Sequence, residues 1–197
     1  MIDLLYPVGV SVPVLPALSS AQVQKKRKND AEMLPVVQED GVVIAMAPRS
    51  YCHGGAHILH PVVHLYVIDR QERIYLQLRS QKKKLFPGKW DVAVGGHVIY
   101  GESVLEALFR ESEEELHLRE FNPRNIGSYC YDTPSDYELV NIFAITGNYS
   151  PAPDKVEVES GRWWTVKEIE KELRSDVFTP MFVSEFKKIK HNLLASL

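Results

Sequence analysis

At 197 residues, 45% hydrophobic and 25% charged, the chain has apolar content enough for one globular domain with a real core, and its two cysteines are too few for a disulfide scaffold. A formal net charge of −3 gives no electrostatic case for nucleic-acid binding. No run approaches the roughly 18 apolar residues that span a bilayer, which leaves a cytoplasmic protein with Cys52 and Cys130 as reduced thiols.

Residues 1 to 32 differ from the rest. The run IDLLYPVGVSVPVLPAL carries Asp3 where a secretion signal would be basic, and Pro7, Pro13 and Pro16 interrupt any helical core. It reads as an extended arm, either disordered or packed on a partner, followed by the basic cluster Lys25 to Lys28 as a solvated linker. The folded domain is expected over residues 33–197. Two short strands around Glu39-Asp40-Gly41 form a first hairpin, and Val62 to Ile68 with Ile74 to Leu78 form a second. A loop then gathers Arg79, Lys82, Lys83, Lys84 and Lys89. A diphosphate has oxygens to neutralise, so Arg79, Lys84 and Lys89 are candidate substrate-binding groups, while most of the consecutive lysines read as solvated charge.

Trp90 to Val98 reads as a strand running into an acidic helix. Along GHVIYGESVLEALFRESEEELHL, a step of about 100° per residue puts Glu111, Glu114 and Glu115 within one arc of about 100°. Val104, Leu105, Leu108, Phe109 and Leu116 fill the neighbouring arc, which packs against the core and holds the acidic ridge at a wall. Glu106 and Glu113 project from the far side as solvated charge. Between Glu102 and Leu116 only Arg110 is basic, so this is not a surface helix laced by ion pairs. Three clustered carboxylates want cations. Hard ions such as Mg²⁺ or Mn²⁺ are held by a few carboxylates and complete their shell with water and substrate phosphates, which makes a diphosphate the natural ligand. Ile126 to Tyr131, Leu139 to Thr146 and Gly161 to Thr165 follow as strands, then two helices, the last starting at Thr179 with Pro180 in its favoured first position.

Gly96, five residues, Glu102, seven residues, Arg110-Glu111, any two, Glu114-Glu115 is the spacing of the Nudix box, and the segment closely resembles that family. The resemblance implies the Nudix fold, an α/β (α+β) arrangement with a mixed sheet sandwiched between helices. It also implies hydrolysis of a diphosphate linkage in a small molecule, a nucleoside diphosphate linked to another moiety or a related organic diphosphate. Glu111, Glu114, Glu115 and the Gly96 carbonyl would hold Mg²⁺ or Mn²⁺, Arg110 would orient the carboxylates, and Glu102 would cap or orient the helix. Glu111 is the expected general base, with Glu157 and Glu159 as rivals. Ser112 stands where a small apolar residue is usual, and His117 replaces a helix-ending glycine, which puts the left-handed C-cap in question.

Phe86-Pro87-Gly88-Lys89-Trp90 and Gly95-Gly96-His97, after a basic loop, resemble the branch related to isopentenyl-diphosphate isomerase over roughly residues 33–190. The isomerases place a cysteine where this chain has Gly95, and glycine cannot transfer a proton, so hydrolysis is the stronger reading. An isomerase-like enzyme and a non-catalytic ligand sensor are the alternatives. His53, His60, His97, Asp136 and Glu138 stand at positions similar to the isomerases' separate metal site, and acids at alternate strand positions share a face. His57, His64 and His191 have no such support. Oligomeric state stays open, a homodimer included.

Overall fold

In the computed structural model the described residues are 32–83, 85–155 and 158–195. The arm expected over residues 1–32 therefore lies outside them except for Glu32, as do Lys84 and Glu157. The first hairpin is β1 (Met33–Val37) and β2 (Val43–Pro48), a separate two-stranded sheet, followed by a single helical turn, α1 (Arg49–Cys52). Next come β3 (His60–Ile68), β4 (Ile74–Arg79), β5 (Trp90–Asp91) and β6 (Val94–His97), then the acidic helix α2 (Val104–Leu116). Strands β7 (Arg124–Asp132), β8 (Tyr137–Thr146) and β9 (Val158–Trp164) and helices α3 (Val166–Glu172) and α4 (Pro180–Leu194) complete the elements of the described residues.

Seven strands form one mixed sheet in which β3 lies parallel to β8 and antiparallel to β4 and β6; β7 flanks β8, and β5 and β9 pair with β4. Every residue of β3 is buried, as a strand covered on both faces must be. Alternation sends Val63, Leu65 and Val67 to one face, where they pack with Ala107, Leu108 and Leu116 of α2. Val62, Tyr66 and Ile68 go to the other, against Phe182, Phe186, Ile189 and Leu193 of α4 and Ile169 of α3. The result is the helix-covered mixed sheet that the sequence implied.

Two expectations need correction. Residues 90–98 are not one strand: β5 pairs with β4, and β6 crosses to pair with β3. The start of α2 is capped by Ser103, not Glu102: the Ser103 hydroxyl accepts from the Glu106 amide, and the Glu106 carboxylate accepts from the Ser103 amide. Glu106 is thus a cap partner, and Glu113 pairs with Arg119 at 2.6 Å. At the other end His117 takes the left-handed conformation itself (φ 53°, ψ 32°), its amide reaching the Glu113 carbonyl and Leu118 reaching that of Ser112. Ser112 is fully buried on the core side, as its size allows.

Candidate active site

The packing of α2 aims its acidic face at β6. Glu111 is fully buried and lies so close to Gly96 that a Cβ there would fall on its carboxyl group. Glu115, 2% exposed, accepts hydrogen bonds from the Gly95 amide at 3.2 Å and from Gln77 Nε2 at 3.0 Å. Glu114 sits at the rim. Arg110 ties these groups together: it donates to both Glu102 oxygens at 2.8 Å, to Glu111 at 2.8 Å, to Glu114 at 3.4 Å and to the His97 carbonyl at 2.9 Å. Burial opposes the Arg110 charge, but Glu102 and Glu111 more than offset it, so the guanidinium is held protonated still more firmly than usual. Glu102, besides holding Arg110, accepts from the Ile99 amide at 3.1 Å. The donor set of buried carboxylates beside backbone carbonyls suits a hard divalent cation.

A second cluster lies where α1, β3, β6 and β8 meet. One ligand atom from each of His53, His60, His97 and Glu138 falls within 4.8 Å of the others. His60 Nε2 is buried without a hydrogen-bond partner among the described residues, while its Nδ1 is held by the Ile58 carbonyl at 2.9 Å. An imidazole fixed on one side and unsatisfied on the other fits a metal ligand. Asp136, read from sequence as a fifth ligand, is placed behind the cluster: its oxygen lies 2.6 Å from His53 Nδ1, and that contact holds its carboxyl below the usual range. It orients His53 and is not among the four converging groups, because it sits in the turn preceding β8. Strand β6 is the shared wall of both sites, since Gly95 and Gly96 touch Glu115 and Glu111 while the His97 ring joins the histidine cluster.

The basic loop is less convergent than its sequence suggests. Arg79 donates to Asp91 at 3.3 Å and to the Leu85 carbonyl at 3.1 Å. Lys89 turns away to Asp176, 2.5 Å distant. Glu159 is exposed on β9, its carbonyl accepting from Lys155. Cys52 is buried and Cys130 half-buried, and both thiols are free and pushed up in pKa by burial. Sequence reading missed Gln77, an ordinary strand residue until β4 is seen beside Glu115. It also missed a buried pair, His64 on β3 and Glu185 on α4, 2.8 Å apart. Their separation in sequence hides them, and only the apolar stripe of α4 interrupted by Glu185 gave a signal.

The NUDIX domain family model matches residues 58–182. An uncharacterized Nudix hydrolase of Nostoc sp. is 34% identical over 125 residues, which cover 62% of this chain and 73% of that relative. An isopentenyl-diphosphate Delta-isomerase of Streptomyces griseus is 28% identical over 161 residues, 79% of this chain and 82% of the isomerase. In fold, the crystal structure of DR0079 from Deinococcus radiodurans matches with a TM-score of 0.70 at 22% identity, covering 80% of this chain and 99% of that one. The NUDIX domain of Shewanella oneidensis NrtR, complexed with ADP ribose, matches with a TM-score of 0.55 at 13% identity over 68% of this chain and 87% of that one. With its box, its sheet and this match over more than half its length, the chain belongs to the Nudix hydrolase family.

Proposed function

We propose that the protein hydrolyses a diphosphate linkage in a small organic molecule, a nucleoside diphosphate linked to another moiety or a related organic diphosphate, with Mg²⁺ or Mn²⁺ and in the cytoplasm. The observation that carries this is the convergence of Glu111, Glu114 and Glu115 around Arg110 beside Gly96. These three carboxylates and the Gly96 carbonyl would hold the cation, which when bound supplies neutralisation of phosphate charge and acidification of water. Arg110 keeps the carboxylates aligned. Glu111, fixed between Arg110 and Gly96, accepts the proton of the attacking water. Arg79 and Lys84 are the cations assigned to the substrate phosphates; Lys89, held by Asp176, is not. A phosphate-release screen over a panel of nucleotide, sugar and prenyl diphosphates with Mg²⁺ tests the reading. Glu114→Gln and Glu115→Gln should each cut kcat at least about 100-fold with little change in melting temperature, since removing like charge relieves repulsion. Wild-type turnover in either variant would sink it.

The histidine cluster favours a second reading, an isomerase-like enzyme with a metal at His53, His60, His97 and Glu138, oriented by Asp136. It predicts deuterium at carbon when isopentenyl diphosphate is incubated with the protein in D₂O. With Gly95 in place of a carbon acid, the expected result is no dimethylallyl product. Deuterium incorporation that survives Glu114→Gln and is lost in Glu138→Gln would move the chemistry to the histidine cluster.

A further inference from the structure

Glu115 is reached by donors of a different kind from those on its neighbours. Arg110 directs its bonds to Glu102, Glu111, Glu114 and the His97 carbonyl, spreading one positive charge over three acids. On Oε2, Glu115 accepts from two uncharged groups, Gln77 Nε2 at 3.0 Å and the Gly95 amide at 3.2 Å. The second donor is backbone and comes with β6. The first is a side chain, and the hydrolytic reading gives it no task.

Alternation along β4 brings Gln77 to the ridge. Tyr75 packs with the residues beneath α2, while Ile74 and Leu76 pack on the α4 side, so Gln77 shares the face of Tyr75. Beside it the chain leaves β5 and crosses to β6 through Val92 and Ala93, which belong to neither strand. The Ala93 carbonyl accepts from the same Gln77 Nε2 at 3.2 Å. Both hydrogens of the amide are thereby committed, one to a carbonyl and one to a carboxylate. A flipped amide would set Oε1 against two acceptors, so the network fixes which way the group points. Gln77 is 3% exposed, and bulk water has little access to either bond.

Resting on the proposed diphosphate hydrolysis, we propose that Gln77 is a positioning residue of the ridge: it holds the Glu115 carboxylate in place for a hard divalent cation, and it does so without charge. A lysine at this position would reach the same oxygen, but it would bring the positive charge that the cation is to supply. A methionine would fill the same space and leave a buried carboxylate short of a donor. The neutral amide avoids both. It orders Glu115 through Oε2 and leaves the negative charge of the group for the ion, and its bond to Ala93 anchors it to the backbone. Gln77 touches neither substrate nor metal and acts through Glu115.

The probe is Mn²⁺ alone, titrated into the full chain and followed by the electron paramagnetic resonance of the free ion, so the readout needs no turnover. The binding step that Glu115→Gln weakens belongs to the ridge and not to the histidine cluster. For that step Gln77→Met should weaken Mn²⁺ about 10- to 100-fold, the usual effect of removing a partner that orients a metal ligand. In a Glu115→Gln background the same substitution should add little, because the amide acts through that carboxylate. A residue that only satisfied the Ala93 carbonyl would lower the melting temperature and leave the Mn²⁺ step unmoved, or its loss would multiply fully with that of Glu115→Gln; either result overturns the inference. If Gln77→Met does not fold, Gln77→Lys decides: it keeps donors for both acceptors but adds a charge, so Mn²⁺ should again bind at least about 10-fold more weakly, and wild-type affinity overturns the inference. Panel turnover with an unmoved Mn²⁺ step in the Gln77 variants leaves the hydrolytic reading intact. If no panel compound is cleaved and Glu115→Gln binds Mn²⁺ like the wild type, the hydrolytic reading itself has failed, and this inference with it.

Discussion

Gly96 shows what a single hydrogen in place of a side chain does for this site. The Glu111 carboxyl occupies the space a Cβ would need, so only a glycine lets the ridge approach β6 this closely. Gly96→Ala must push Glu111 away, and Glu111 is held by Arg110 and surrounded by core. The expected cost is about 1–3 kcal/mol of stability by overpacking, with kcat falling further than the melting temperature suggests; steady-state kinetics beside thermal denaturation check both. Arg79 makes a second case. Arg79→Ala should raise KM for a diphosphate more than Lys82→Ala does, because a forked guanidinium already braced by Asp91 presents its remaining donors at little entropic cost, whereas an exposed lysine does not. Equal KM changes would mean that the loop acts as diffuse charge. At this scale the sequence was a good guide wherever chemistry follows spacing. Glu111, Glu114, Glu115 and Arg110 meet as their helical offsets imply, and four of the five proposed metal-site residues converge. Asp136 did not, since which neighbour a turn residue faces depends on the turn and not on its distance along the strand. Gln77, His64 and Glu185 were illegible because their partners lie 38 and 121 residues away.

Among elements, α2 depends on its first turn. Ser103 and Glu106 satisfy two amides reciprocally, and the segment after β8 finishes the helix by donating from Ala152 to Leu116 and from Asp154 to the Glu115 carbonyl. Ser103→Ala should lower stability by about 1 kcal/mol, visible as a shift in urea midpoint at unchanged slope, and should reduce turnover less than Glu115→Gln does because it removes no carboxylate of the ridge. Strand limits from periodicity came close for β3, β4, β7, β8 and β9. The split of residues 90–98 did not show, since Val92, Ala93 and Val94 are uniformly apolar and all buried, and nothing in that run marks where the chain leaves β4 for β3. Helix α4 read correctly from Thr179 and Pro180, and the structure adds that Thr179 also donates to Asp91 at 3.0 Å, tying the helix start to β5.

For the whole molecule, His64 makes stability depend on pH. Its pKa is raised from 6.5 to about 9, so the contribution is fully present below pH 6.5 and is lost as pH rises through about 9. The charges acting on the ring are those of Glu185, which it touches, and of Asp91 and Glu138, with the Tyr66 and Tyr129 hydroxyls on the Glu185 carboxylate. Urea midpoints should therefore fall between pH 6.5 and 9.5 in the wild type and fall less in His64→Gln; parallel curves would show that the pair does not titrate with folding. The layered architecture was legible as a whole because strands lay on both sides of one amphipathic helix, with two more helices at the end.

The parallel pairing of β3 with β8 sets an order of assembly. Its first aligned pair, His60 with Glu138, is separated by 138 − 60 = 78 positions. The β6 and α2 groups are near neighbours in sequence and can meet early. His53, His60 and His97 cannot gain Glu138 until that long loop has closed, a step whose entropy is lost before its contacts form. On the ribosome, the carboxylate ridge has all its parts once residue 116 is free of the exit tunnel, while the histidine cluster must wait for β8. The latter is therefore the natural reporter of the closure of β3 on β8.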